Sequence, residues 1–268
     1  MSFDFIKAEG AGNDFIIIDA VSLPPAANIK ELAERFCERN KSIGADGLLV
    51  YGESTNCDFK MSIYNPDGNE VEMCGNGARC LALYAYQKKA KENRMMIETK
   101  AGRVGVEIKD ETVKLKLTEP KDARLNFDLA VGGENLKISF INTGVPHIVC
   151  FVDDVSKIDV KTIGRGARFH DEFKPQGTNA NFVEILEPGK LKIRTYERGV
   201  EEETLACGTG SAAAGVIAGL LKKVTSPVEI ETASGEVLKI YFDIETGTCK
   251  NVYLEGKCSL VYEGKIGI

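Results

Sequence analysis

The stretch MCGNGARC, residues 73–80, sets a cysteine against a glycine-rich turn that runs into an apolar segment, and ACGTGSAA, residues 206–213, does the same in the second half of the chain. A repeated unit governs the reading of a whole fold, so the sequence is first compared with itself. At a shift of 133 residues, 65–102 lies without gaps on 198–235 and gives ten identities in 38 positions. Glu70, Cys74, Gly75 and Gly77 meet Glu203, Cys207, Gly208 and Gly210; Ile97, Glu98, Thr99 and Gly102 meet Ile230, Glu231, Thr232 and Gly235. Ala85/Ala218 and Lys89/Lys222 complete the set, and a weaker match at a shift of 132 pairs GNDFIII (12–18) with GVPHIVC (144–150). Both shifts are close to half of the 268 residues, which predicts two homologous lobes.

Periodicity predicts an α+β fold of two pseudo-symmetric lobes, each a curled, mostly antiparallel sheet around a central helix. Alternating or β-branched runs mark strands at FIIIDAV (15–21), GLLVY (47–51), DFKMSIY (58–64), VGVEI (104–108) and VKLKLTE (113–119). The second half supplies LKISFI, HIVCFV, NFVEIL, LKIRTY, VEIET, VLKIYF and NVYLE, with hairpin turns at EPGK (187–190) and SGE (234–236). NIKELAERFCERN (28–40) reads as an amphipathic helix with Asn28 as its cap. ARCLALYAYQKKA (78–90) and SAAAGVIAGLLKK (211–223) are apolar on nearly every face up to their lysine ends, so each reads as a helix wrapped by strands. Lobe boundaries fall at 1–120 and 121–255.

Composition narrows the class of function. With 43% hydrophobic and 28% charged residues the chain has an ordinary globular make-up. Its net charge of −6 offers nucleic acid no basic surface, and no apolar run reaches membrane-spanning length. MSFDFIKAEG lacks the pattern of a signal peptide, so a cytoplasmic location is expected. Eight cysteines (37, 57, 74, 80, 150, 207, 249 and 258) are too dilute for a disulfide scaffold; most read as small buried hydrophobes.

Cys74 and Cys207 stand apart because of where they sit. The unpaired N–H groups and positive dipole end of a helix start stabilise an anion, whether a thiolate or a bound carboxylate. The glycines at 75, 77, 208 and 210 let the chain turn tightly there. Two such units facing one another across a cleft between lobes would place a thiol on each face of a small carboxylate. That suits removal of a proton from one face of a carbon and its return to the other. The plainer reading makes both cysteines packing residues at strand-to-helix corners. Asn65 before Pro66 would then be a turn former, Glu197 and Arg198 a surface pair at a strand end, His147 and His170 polar residues at strand starts, and EEE (201–203) a solvated loop.

At this point the sequence resembles the diaminopimelate epimerases, in GAGNDF (10–15), IGADGLL (43–49), YNPDGNEVEMCGNGARC (64–80), GVPH (144–147), GTNANFV (177–183) and YERGVEEETLACGTGSAA (196–213). The resemblance implies a cofactor-independent, metal-free isomerase that interconverts LL- and meso-diaminopimelate for lysine and cell-wall precursor synthesis. It implies that Cys74 takes the α-proton of the LL substrate while Cys207 delivers one to the opposite face. The α-carboxylate would rest on the N–H groups of Gly75, Asn76, Gly208 and Thr209, with Asn13, Asn65, Asn179, Glu197 and Arg198 gripping the distal end and His147 assisting the second half-site. Residues 256–268 would return to the first lobe. Oxidation to a Cys74–Cys207 disulfide would stop turnover. A small-molecule substrate is the implied partner, without nucleic acid or membrane; a homodimer is left open. The chain departs from some members at Gly47 (glutamine), Val145 (asparagine) and Glu202 (glycine), which bears on the substrate contacts. Rival readings are a proline-racemase-like enzyme on the same fold, a thiol redox or zinc protein, for which CxxC spacing is missing, and a thiol hydrolase, which leaves the second cysteine box unused.

Overall fold

Nearly every element of the first half of the chain has a counterpart, in the same order and with the same pairing sense, in the second. A computed structural model describes residues 2–90 and 92–267; Met1, Lys91 and Ile268, which fall in the predicted first lobe, lie outside them. The chain divides into two compact units, Met1–Leu115 with Gly256–Ile268, and Lys116–Glu255.

In the first unit β1 (Ser2–Gly10) pairs antiparallel with β2 (Asn13–Asp19), and α1 (Ile29–Phe36) leads to β3 (Gly47–Gly52), which runs parallel to β2. β4 (Phe59–Tyr64) returns antiparallel to β3, and the two-residue β5 (Glu70–Val71) folds back on β4. Then come α2 (Gly75–Ala85), β6 (Arg94–Thr99) parallel to β4, and antiparallel β7 (Gly102–Lys109) and β8 (Thr112–Lys116).

The second unit follows the same plan. β9 (Lys121–Val131) comes first, then antiparallel β10 (Glu134–Asn142) and β11 (Pro146–Phe151), α3 (Val160–Arg168), and β12 (Asn179–Glu187) parallel to β11. β13 (Lys190–Glu197) and the short β14 (Glu202–Thr204) lead to α4 (Gly208–Leu220). β15 (Val228–Glu231) runs parallel to β13, followed by β16 (Val237–Glu245) and β17 (Thr248–Lys257). β18 (Ser259–Gly267) pairs antiparallel with β1 in the first unit, and β9 flanks β10 in the same way in the second.

The reason for the wrapped helices lies in their composition. A helix that is apolar on every face has no side to offer water and must be enclosed. All residues of α2 from Asn76 to Ala85 are buried, as are all of α4 from Gly210 to Gly219. Strands with one face inward alternate, as Phe59, Met61 and Ile63 do in β4, whereas β2 buries Phe15, Ile16, Ile17 and Ile18 in succession. A continuous buried run is what a parallel strand covered on both faces requires. The second cover is α1, whose Phe36 ring packs 5.6 Å from that of Phe3.

The structure moves several boundaries. α2 and α4 begin three residues before the apolar patterns at 78 and 211, because the glycine turns form the first helical turn themselves. α2 ends at Ala85, with a wider π-type turn over Tyr86–Ala90. α1 stops at Phe36, and Asn28 occupies the cap position without capping: its amide donates to Glu31 Oε1 at 2.7 Å. α3 has no counterpart in the sequence reading. Its two glycines dilute the apolar period, and Gly164 is needed where a Cβ would lie 2.4 Å from Cβ of Tyr196. Among the described residues no helix is long and apolar enough to cross a membrane.

Leu81 on α2 is wholly buried. Leu81→Ala is expected to destabilise the protein by about 2–5 kcal/mol through lost contacts and a residual cavity. Urea unfolding would show this as a lower midpoint at unchanged slope; an unchanged midpoint would contradict the enclosed-helix reading.

Candidate active site

Cys74 and Cys207 occupy the same position in their units, the residue just before the enclosed helix, with extended backbones (φ −137°, ψ 121° and φ −124°, ψ 108°). Their carbonyls start the helices, accepting from Ala78 N at 2.8 Å and Ser211 N at 2.9 Å. Neither side chain caps its helix, so the amides of the first turn are not consumed by the residue that usually satisfies them. Such a helix start attracts anionic groups.

In the first unit the side chains behind this turn are tied in series. Asn76, buried in α2, donates from Nδ2 to Asn13 Oδ1 at 2.7 Å. Asn13 in turn donates to Asp46 Oδ2 at 3.0 Å, and Asp14 N reaches the same oxygen at 3.1 Å. Arg39 bridges Asp46 and Asp14, and Lys7 pairs with Asp14 at 2.7 Å. Burial works to raise the Asp14 carboxyl, but the Arg39 and Lys7 hydrogen bonds outweigh it and hold it at about 2. Asp46, in the IGADGLL segment, had no assigned task in the sequence. Asn65 lies apart from this series, exposed on the turn between β4 and β5, where its N–H donates to Asn69 O at 2.9 Å. Gly47 packs closely: a Cβ there would stand 3.1 Å from the Tyr64 carbonyl and 3.5 Å from the Phe15 ring, so a larger residue needs the Tyr64 backbone to shift by a few tenths of an ångström.

The second unit joins almost all of its candidates in one network. Asn179 and His147 are register partners on β12 and β11. Asn179 donates to Pro146 O at 2.9 Å and accepts from the Arg198 backbone N–H at 2.8 Å, while Arg198 Nη1 donates to Gln176 O. Glu197 accepts from the Thr204 hydroxyl at 2.9 Å and touches the Cys207 thiol. Burial pushes its carboxyl up, against the pull of those two hydrogen bonds. His147 has no solvent exposure; its Nε2 lies 3.0 Å from Thr209 Oγ1, which stands 3.6 Å from Cys207 Sγ. Burial, and after it the Arg198 charge, pushes the imidazole down to about 3. Thr143 donates to the Thr209 carbonyl at 3.0 Å and steadies the turn from behind.

Asn181 escaped the sequence reading. It sits two residues after Asn179, hence on the same strand face, and contacts His147, Ile148 and Thr195. The signal available was the alternation of two asparagines in GTNANFV. The glutamates at 201–203 are not a solvated loop. Glu201 pairs with Arg168 at 3.0 Å, Glu202 with Lys161 at 2.6 Å, and Glu203 takes both arms of Arg194 at 2.7 Å, which holds β14 against β13 and α3. His170 is not at a strand start; its Nδ1 accepts from Glu172 N at 3.1 Å and caps a short helical turn.

Comparison with known proteins follows the same lines. A family model described as diaminopimelate epimerase matches residues 5–122 and 139–261. A diaminopimelate epimerase of Aquifex aeolicus (strain VF5) is 42% identical over 277 residues, covering 98% of this chain and 97% of the relative. One of Hydrogenobaculum sp. (strain Y04AAS1) is 42% identical over 273 residues, covering 97% of each. Among solved structures, a phenazine biosynthesis protein of the PhzF family from Bacillus anthracis superposes with a TM-score of 0.77 at 16% identity over all of both chains, a likeness of fold.

Two predictions arise from these contacts. A Cβ on Gly210 would lie 2.4 Å from Asn181 Oδ1, whereas one on Gly75 meets nothing within 4 Å. Gly210→Ala is therefore expected to cost about 1–3 kcal/mol and Gly75→Ala far less, read as melting temperatures; equal losses would contradict the packing. His147 ordinarily titrates near 6.5 and in the fold at about 3, so the unfolded chain takes up a proton that the native state refuses. Its contribution to stability is complete above pH 6.5 and is lost as pH falls toward 3, by up to about 1.4 kcal/mol per pH unit. Urea melts should show wild type losing stability more steeply than His147→Gln between about pH 6.5 and 4.5; parallel slopes would contradict it.

Proposed function

The chain belongs to the diaminopimelate epimerase family, and from that membership we propose that Cys74 and Cys207 are the two acid–base groups of a cofactor-independent epimerisation of LL- to meso-diaminopimelate. The observation that carries the reading is the recurrence of a non-capping cysteine before an enclosed helix in both units.

An α-hydrogen beside a carboxylate and an ammonium is a weak acid, so its removal needs a base and a means of holding the charge that develops. The Cys74 thiolate takes the proton from the LL substrate. Electron density from the broken C–H bond moves onto the carboxylate, which rests on the amides of Gly75, Asn76, Gly208 and Thr209. The Cys207 thiol returns a proton to the opposite face, which leaves Cys74 protonated and Cys207 ionised; in reverse the two exchange roles. Asn13, Asn65, Asn179 and Arg198 hold the distal amino-acid end, and that binding energy fixes the reacting carbon. Arg198 suits a carboxylate through its planar fork. Glu197, which touches Cys207, bears on the reacting thiol as well as on an ammonium. His147 supports the second half-site through Thr209.

Incubation of LL-diaminopimelate in deuterated water is expected to place one deuterium at the inverted centre. Cys74→Ala and Cys207→Ala should each abolish turnover. Full epimerisation by either variant, or inversion without solvent deuterium, would sink the two-thiol assignment.

A further inference from the structure

The direction of the hydrogen bonds behind Cys207 is set by a residue outside the cysteine boxes. Asn181 is fully buried in β12. One atom of its side-chain amide lies 2.7 Å from the Ile148 carbonyl oxygen. A carbonyl only accepts, so that atom is the nitrogen. The other is then the oxygen, and it receives the Thr195 hydroxyl at 3.0 Å. The second hydrogen of the nitrogen faces His147 Nδ1 at 3.2 Å, which must therefore present a lone pair. A neutral imidazole carries one proton, and here it is left on Nε2, which faces Thr209 Oγ1 at 3.0 Å. The threonine oxygen accepts that proton's hydrogen bond. Its own single hydrogen remains for Cys207 Sγ at 3.6 Å.

We propose that Asn181 is a positioning residue that fixes the tautomer of His147, so that the chain Asn181 to His147 to Thr209 to Cys207 runs in one direction and ends with a hydroxyl donating to the sulfur. With the other tautomer Nε2 would accept, the Thr209 hydrogen would turn to the ring, and the sulfur would face lone pairs. A donor at the sulfur favours its thiolate, the form Cys207 needs when it acts as base. Within this unit Glu197 touches the same thiol and accepts from S–H, the His147 ring is neutral, and Arg198 acts on the ring through space. Asn181 is also the atom bed on which Gly210 rests, so the same amide seats the first turn of α4. The inference rests on Cys207 being a reacting thiol, but its first test does not.

The chain has two histidines, so His170→Asn leaves a single ring to observe. Nitrogen-15 spectra of that variant near neutral pH are expected to show His147 protonated at Nε2 and bare at Nδ1, whatever the substrate proves to be. A ring protonated at Nδ1 overturns the proposal. The second arm measures alkylation of Cys207 by iodoacetamide against pH, read on its own peptide by mass spectrometry. Thr209→Val keeps the backbone amide and removes the hydroxyl; Asn181→Asp draws the ring proton to Nδ1. Each is expected to move the alkylation profile up by about one pH unit, roughly a ten-fold slower reaction near neutrality. An unmoved profile in Thr209→Val sinks the idea, since a merely structural role would change melting temperature and leave the profile in place. Should Asn181→Asp fail to fold, the ring spectrum of His170→Asn and the Thr209→Val profile still decide.

Discussion

A helix that starts inside a hydrophobic wrap has three or four amides with no carbonyl to receive them, and the structure depends on how that debt is met. Serine, threonine, asparagine or aspartate at the cap would bend its own oxygen back onto those amides and quench them. Cysteine does not, since sulfur is a weak acceptor. Cys74 and Cys207 leave their caps unmade. The chain thereby keeps two helix starts whose first amides carry the positive end of the dipole. Burial of α2 and α4 thus bears on the proposed chemistry as well as on the fold.

The two helix starts are braced by different chemistry. Asn76 and Thr209 are equivalent, each the second residue of its helix, and each is held by a side chain from the equivalent strand: Asn13 on β2, His147 on β11. The partner of Asn76 leads out to a charged cluster through Asp46. That of Thr209 leads inward to a neutral, fully buried amide. A duplicated scaffold has kept its geometry while its supports diverged, as an enzyme whose two bases play opposite parts in each direction can accommodate.

Much of this was legible in the sequence. The repeat was, because Cys-Gly-x-Gly stands ahead of an apolar run in both halves, and its second glycine is needed in each, where a Cβ would lie 3.0 Å from Leu49 at Gly77 and 2.4 Å from Asn181 at Gly210. The all-round apolar segments announced enclosed helices, though not their starts, since glycine reads as a breaker even when it supplies the first turn. What stayed hidden has physical reasons. β9 is exposed over its first six residues, and only Phe127, Leu129 and Val131 at its end alternate inward, too short a run to mark an eleven-residue strand. The glutamates at 201–203 look like a solvated run until Arg168, Lys161 and Arg194 arrive from elsewhere in the chain. Asn181 is one polar residue in an apolar strand, and its meaning lies in the carbonyl of Ile148, which no sequence displays. Asp46 was quoted within a motif, but its link to Asn13 spans 33 residues.

The placement of β18 carries a consequence for synthesis. The second unit is a single uninterrupted span, Lys116–Glu255, whereas the first draws its final strand from the far end of the chain, with Ser2 opposite Gly267 and Glu9 opposite Ser259. On the ribosome β1 is made first, yet its edge stays uncovered until β18 follows the whole of the second unit, which can close before it. Vectorial translation therefore lets the second unit close while the first still lacks its β18 partner.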